Sequence, residues 1–351
     1  MDLFDYIQKR KNEISTYIDF ALKEKAKDTD REYVHLYDSL REFSTKGKHL
    51  RGCFFLLSYE MAGGKNVEQL MPAAAAIEIN GSALLIHDDI MDNDMLRRGG
   101  PSMFAQYIEK GKEISAISPQ HYGVSAGILI GNIALMLGFE LLNRAGIDSD
   151  YKSEVYKRYA QDMQITAVGQ MMDFDVGNTT REPNEEEILK IYKLKTAQYS
   201  LVNPFIMGAQ AAGAPDEYRS ALLDVCTTLG IIFQIKDDMV GLLGNEEETG
   251  KAARSDVREN KKTLIRKYLF DATQGDDKEL LTRVFGSDTI SDKDFATLVS
   301  LIHSTGVDKK IDQKMQGMAE TVLEKIKLLH LDERYASLMK ELVTYSLSRS
   351  K

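Results

Sequence analysis

The chain has 351 residues, 43% of them hydrophobic, and 54 Asp and Glu against 45 Lys and Arg, for a formal net charge of −9. That much apolar material supports a real core, and an acidic chain with no long Lys/Arg block argues against a nucleic-acid partner. Trp is absent, none of the six prolines lies beyond Pro215, and Leu, Ala, Glu, Lys and Met dominate, so an all-α chain is predicted, with 1–351 as a single domain.

In chain order, helices are expected near 2–27, 30–43, 50–62, 66–94, 101–112, 119–144, 150–177, 185–212, 215–243, 260–273, 276–286, 292–304 and 307–350. Turn signals such as "AGGKN", "RRGGPS", "RAGIDSD", "GNTTREPNE", "AGAPDE" and "GSDTISD" separate them. "PNEEE" and "SDKD" read as capped helix starts with acids in the first turn. The opening "MDLFDYIQKRKNEIS" is amphipathic and charged, without the apolar core of a secretory signal. Cys53 and Cys226 sit far apart in apolar contexts, as core thiols of a reducing, cytoplasmic protein do. Two uncharged stretches, 122–139 and 196–215, are interrupted by Gly, Asn, Pro or Gln and lack aromatic belts. They are expected to be helices buried on all sides, with no transmembrane segment.

The stretch "LLIHDDIMDNDMLRRGG" (84–100) places Asp88, Asp89, Asp92 and Asp94 directly after an apolar run. On a helix, Asp88 and Asp92 share a face one turn apart. Such a pair suits magnesium, a hard cation that completes its shell with water and phosphate oxygens. Asp89 and Asp94 point elsewhere, toward supporting or solvent-facing roles. Acids at a helix C-terminus oppose the macrodipole, so something positive should offset them. A second apolar helix, "LGIIFQIKDDMVGLLG" (229–244), also ends in paired acids, Asp237 and Asp238, with Gln234 one turn earlier. Two such helices make a facing metal cage a reasonable expectation in a helical fold. The cations are Lys48 and Arg51 in "KGKHLRG", Arg97 and Arg98 in "RRGG", Lys195 beside Thr196 in "YKLKTAQ", and Lys251 and Lys261 in the polar segment 244–263, a candidate active-site cover. Together these describe a site for polyphosphate esters. No P-loop pattern is present.

On these motifs the sequence resembles the trans-isoprenyl diphosphate synthases, or polyprenyl synthetases, and among them the geranylgeranyl diphosphate synthases. The matching segments are "GKHLR" (47–51), "DDIMD" (88–92) with "RRG" (97–99), "KT" (195–196) and "FQIKDD" (233–238), followed by "TGK" (249–251) and "NK" (260–261). It departs from the family pattern at Gly241, where many members carry a third Asp, at Gly81, where a His or Gln is common, and at His49 and Asn132.

The resemblance implies a helical bundle of the isoprenoid synthase type with a central apolar cavity. It implies magnesium-dependent head-to-tail condensation of isopentenyl diphosphate with an allylic diphosphate (dimethylallyl, geranyl or farnesyl), by a homodimer. Three magnesium ions would be held by Asp88, Asp92 and Asp237. Arg97, Lys195, Thr196, Gln234, Lys251 and Lys261 would hold the allylic diphosphate, and Lys48, Arg51 and Arg98 the isopentenyl diphosphate. Asp88, Asp92, Lys195 and Asp237 would carry the chemistry. Product length would be read at Ala83 and Leu84, just over one turn before the first aspartate. The small Ala83, with Ala76 further down, favours geranylgeranyl diphosphate over the farnesyl product, with longer polyprenyl chains as the alternative. Three other readings have less support. A terpene cyclase would lack "GKHLR" and "KT", and a non-catalytic partner subunit on the same fold would typically lose aspartates. A di-iron bundle needs Glu-x-x-His on two helices, and only "EYVH" (32–35) has that spacing.

Overall fold

The computed structural model describes residues 1–243, 254–287 and 289–349. Among them the only strands are Leu96–Arg97 and Gly100–Pro101, which pair antiparallel in a short hairpin; the regular structure is otherwise helical, as the composition predicts. The residues group into two compact units, Met1–Lys157 with Pro204–Ala214, and Arg158–Asn203 with Pro215–Lys351.

In the first unit the helix Met71–Met91 runs through the core and ends in the first aspartate cluster. Its alanines 73–76 are fully buried, and their small side chains let neighbouring backbones approach. The helix Pro119–Arg144 packs along it. Gly127 and Gly131 make that approach possible: a Cβ would stand 2.7 Å from Ile90 at Gly127 and 2.1 Å from His87 at Gly131. Glycines at four-residue spacing therefore lock the aspartate-bearing end of Met71–Met91 in place.

The same stripe corrects one expectation. Pro119–Arg144 is buried along one face only, with Ile128, Leu129 and Met136 exposed. An uncharged composition shows that no side is strongly polar; it does not show which side is covered. By length and composition Pro119–Arg144 and Glu68–Met91 would be able to cross a membrane, and the apolar window of the latter is 78% buried. The second uncharged stretch is mostly buried, with Ala197, Phe205, Met207 and Ala209 at zero exposure.

In the second unit the helix Asp216–Leu243 packs against Tyr192–Val202 and Val307–Lys327. Gly230 permits this contact, since a Cβ there would stand 2.5 Å from Ala197. The helix expected over 185–212 is in three pieces. Glu185–Ile191 is α-helical and opened by a capping box between Asn184 and Glu187. Tyr192–Val202 is a π-helix, and Asn203–Ala211 returns to α. Such wide turns are rare and cluster at functional sites. This one ends at Val202, two residues before Pro204, whose ring nitrogen has no hydrogen to donate to the carbonyl one turn back.

Other boundaries also differ. The helix expected at 260–273 starts at Leu264, where the Thr263 side chain accepts from the Arg266 N–H. The long helix expected at 307–350 is Val307–Lys327 and Glu333–Ser348, broken at the left-handed His330 (φ 49°). No proline was needed for that break, so the absence of proline did not guarantee continuity.

Candidate active site

In the first unit the aspartates after the apolar run split into two populations. Asp88 and Asp92 stand one turn apart and partly exposed, the Asp88 side chain by 22%. Asp89, between them in sequence, is fully buried rather than solvent-facing. Its carboxylate accepts from Arg97 Nε at 2.6 Å and from the same guanidinium's Nη2. Arg97 also reaches Asp94 at 3.2 Å and lies 3.9 Å from Asp88. Burial pushes Asp89 up to about 7 against the pull of Arg97, and nearby Asp88 and Asp94 add to the rise. Arg97 is the positive group that the acidic helix end required, and the hairpin Leu96–Pro101 brings it back over that end.

Arg98 turns the other way. Its backbone is left-handed (φ 55°), its guanidinium donates to the Phe43 carbonyl at 2.5 Å, and it stacks 4.6 Å over the Phe43 ring. Burial pulls it down to about 10, which marks a cation stripped of water and short of counter-charge. Arg97 and Arg98 line a cavity of about 270 Å³ with Lys46, Phe43 and Gln106. Gly47 adjoins Arg98, and Gly81 adjoins Arg51: an added Cβ would stand 3.4 Å and 3.3 Å from the respective guanidinium nitrogens. The departure at Gly81 thus makes room for an arginine. Lys48 is exposed, Ala83 is fully buried, and Leu84 is half-buried.

In the second unit the paired acids divide in the same manner. Asp238 is buried, accepting from the Tyr192 hydroxyl and from Gln234 Nε2 at 2.6 Å. Burial, with nearby Asp256, pushes it up to about 8. Asp237 is 47% exposed and pairs with Arg349, which caps the helix Glu333–Ser348 and stacks 3.6 Å over Phe233. Lys195 lies on the π-helix and pairs with Asp173 at 2.5 Å; Thr196 beside it is half-buried. A Cβ on Gly169 would stand 2.4 Å from the Lys195 amide nitrogen, so that glycine seats the lysine's backbone. Lys261 lies 3.2 Å from Glu259, and its amide donates to the Asp256 carbonyl. Lys251 lies outside the described residues.

Sequence reasoning missed Asp173 and Asp256. Gly241 stands where a third acid was expected, and a Cβ there would be 2.9 Å from an Asp256 carboxylate oxygen. The space left by the missing side chain is occupied by a carboxylate from further along the chain. The motif "SDVREN" held that signal, but only the fold shows which helix Asp256 meets.

Tyr192 ties three of these parts together. It sits on the π-helix, donates to Asp238 and accepts from the Leu264 amide at 2.9 Å. Tyr192→Phe removes the acceptor of the buried Leu264 amide and one of the two donors to buried Asp238, and is expected to cost about 1–3 kcal/mol in urea unfolding. A loss below about 0.5 kcal/mol would show that water replaces the hydroxyl.

Among the described residues, no three His, Cys, Asp or Glu side chains converge by themselves as a metal cage. The exposed donors are nevertheless hard carboxylate oxygens in pairs and singles. That donor set fits magnesium, which draws the rest of its shell from water and phosphate.

Residues 34–302 match the polyprenyl synthetase family model. The chain belongs to that family. All the motifs that carried the resemblance lie inside the matched span. The geranylgeranyl diphosphate synthase of Saccharolobus solfataricus is 31% identical over 345 residues, 97% of each chain. The geranylfarnesyl diphosphate synthase of Aeropyrum pernix is 32% identical over 232 residues, 65% of this chain and 67% of that protein. A crystal structure of the geranylgeranyl pyrophosphate synthase of Corynebacterium glutamicum, complexed with isoprenyl diphosphate and magnesium, superposes with a TM-score of 0.91 at 25% identity, covering 99% of this chain and 100% of that one. This polyprenyl synthetase shares the all-α fold of that structure.

Proposed function

We propose that this polyprenyl synthetase is an all-trans prenyltransferase that condenses isopentenyl diphosphate with an allylic diphosphate to give geranylgeranyl diphosphate. One observation carries the reading: partly exposed Asp88 stands 3.9 Å from the buried Arg97 guanidinium, with Asp92 one turn on and the desolvated cation Arg98 next in the chain. Hard oxygen donors next to guanidinium forks match the charge of a metal-bound diphosphate. The product is supported by the synthase of S. solfataricus and by the small Ala83 and Ala76.

Asp88 and Asp92, with Asp237, would hold magnesium, three ions by the family resemblance. When bound, magnesium would neutralise the negative charge that builds on the departing diphosphate. Arg97, Lys195, Lys251 and Lys261 would bind the allylic diphosphate and offset the same charge, with Thr196 and Gln234 orienting it. Lys48, Arg51 and Arg98 bind isopentenyl diphosphate so that its double bond attacks the allylic carbon. Apolar walls such as Leu84 shield the cation from water. The exposed Ile128, Leu129 and Met136 support a homodimer that covers that face with a second copy. The acidic chain with two buried thiols supports a cytoplasmic location.

The test is to incubate the purified chain with magnesium, labelled isopentenyl diphosphate and dimethylallyl, geranyl or farnesyl diphosphate, then size the products. Incorporation without a geranylgeranyl product would move the assignment to a longer chain, as in A. pernix, or to farnesyl diphosphate. No incorporation with any starter would favour a non-catalytic subunit. Ala83→Phe in the same assay should shift the product toward farnesyl diphosphate. Overpacking a fully buried site costs about 1–3 kcal/mol, so the variant's melting temperature is measured alongside. An unchanged product distribution would show that Ala83 serves packing alone.

A further inference from the structure

Glu78 is the one charged side chain between Pro72 and His87 in the helix Met71–Met91, and it is 5% exposed. A buried carboxylate is costly unless it is paired and hydrogen-bonded. The partners of its carboxylate come from "GKHLR" and the Gly52 that follows it. Oε1 accepts from the Gly52 amide at 2.7 Å, and Oε2 lies 3.7 Å from His49 Nδ1. Burial raises its affinity for a proton, but His49, Arg51 and the Gly52 amide outweigh this and hold it below the usual carboxylate range. It is therefore an anion inside the unit.

The turn it grips is unusual. His49 is left-handed (φ 52°, ψ 32°), and its side chain is fully buried. Neither of its ring nitrogens has a hydrogen-bond partner among the described residues. That conformation is uncommon in a residue with a Cβ, though less so for His than for most, and the tertiary contacts around the buried ring hold it. Gly52 is equally confined, since a Cβ there would stand 2.8 Å from Ile14 and 3.3 Å from Glu78 Cγ.

Two guanidiniums lie near enough to feel the same carboxylate's charge. Arg51 lies against Gly81, three residues after Glu78, and Arg98 lies against Gly47 beside the His49 ring. Glu78 is the strongest charge sustaining protonation of Arg98, while Arg51 works against it. Two neighbouring, partly desolvated cations repel. Before a diphosphate arrives, an anion must hold them near each other, and Glu78 is placed to do so.

We infer that Glu78 is a positioning residue for the isopentenyl diphosphate site: through Gly52 and His49 it shapes the turn presenting Lys48 and Arg51, and its charge keeps Arg51 and Arg98 gathered as a ready diphosphate clamp. This inference rests on the prenyltransferase reading. It adds a residue that the aspartate and basic motifs do not contain and that need not touch substrate.

Glu78→Gln keeps an acceptor for the Gly52 amide but removes the charge. With farnesyl diphosphate saturating, KM for isopentenyl diphosphate should rise about tenfold, equivalent to about 1.4 kcal/mol. KM for farnesyl diphosphate should stay within about twofold and kcat within about threefold. Glu78→Asp, which retains the charge, should recover part of the loss. A merely structural role predicts a lowered melting temperature with both KM values moved together or neither moved, and that result overturns the inference. Should the Gln variant not fold, Gly81→Ala carries the test, because its methyl presses on Arg51. It should raise the isopentenyl KM alone, and equal or absent effects would again refute the proposal. A wild-type chain that incorporates no isopentenyl diphosphate would instead sink the prenyltransferase reading.

Discussion

Asp88→Asn is expected to lower prenyl transfer by roughly two to three orders of magnitude while leaving the melting temperature within about 2 °C of wild type. The side chain is partly exposed and is not the main partner of Arg97, which lies 3.9 Å away. Its removal therefore exposes no buried charge. What is lost is an oxygen ligand and one negative charge at the proposed metal site, on which stabilisation of the leaving diphosphate depends. Asp92→Asn should behave similarly. Chelation with EDTA should abolish turnover in the wild type, and magnesium should restore it. The check combines steady-state turnover with calorimetric titration of magnesium in the presence of inorganic pyrophosphate. An Asp88→Asn variant with near-normal turnover and unchanged metal binding would refute the assignment.

Asp89→Ala, one residue away, is expected to do the opposite kind of damage. It strips the buried Arg97 of its closest partner, a carboxylate at zero exposure. Breaking a buried pair by removing one member costs about 3–5 kcal/mol, because the other charge stays desolvated. Asp94 remains 3.2 Å from Arg97, which places the expectation near the lower end, about 3 kcal/mol. For a compact unit the size of Met1–Lys157 with Pro204–Ala214 that corresponds to a fall of roughly 6–12 °C in melting temperature. Turnover should fall as well, since a released Arg97 no longer holds the hairpin over the acidic helix end. Thermal and urea unfolding test this. Equal stability of the Asp88 and Asp89 variants would mean that the Asp89–Arg97 pair stabilises nothing. Asp89→Asn is the milder control, because an amide still accepts one hydrogen bond from the guanidinium.

The amino-acid sequence by itself determined the helical class, most helix positions and the chemical character of the site. Those properties are local or additive. Helix formers, caps and turn residues act within a few positions, and acids ending two apolar helices, with lysines and arginines between, identify metal and diphosphate chemistry without coordinates. The tertiary structure decided which member of each acidic pair is available. Adjacent residues on a helix point about 100° apart, so only the surrounding packing tells Asp88 from Asp89, or Asp237 from Asp238. Arg97 reaches Asp89 because a hairpin folds back, and Tyr192 reaches Asp238 from 46 positions away in sequence. The π-turn under Lys195, the Asp256 carboxylate beside Gly241 and the open face of Pro119–Arg144 were likewise hidden. Each is set by what another segment does, and hydrophobic periodicity records which residues prefer burial, not which neighbour covers them.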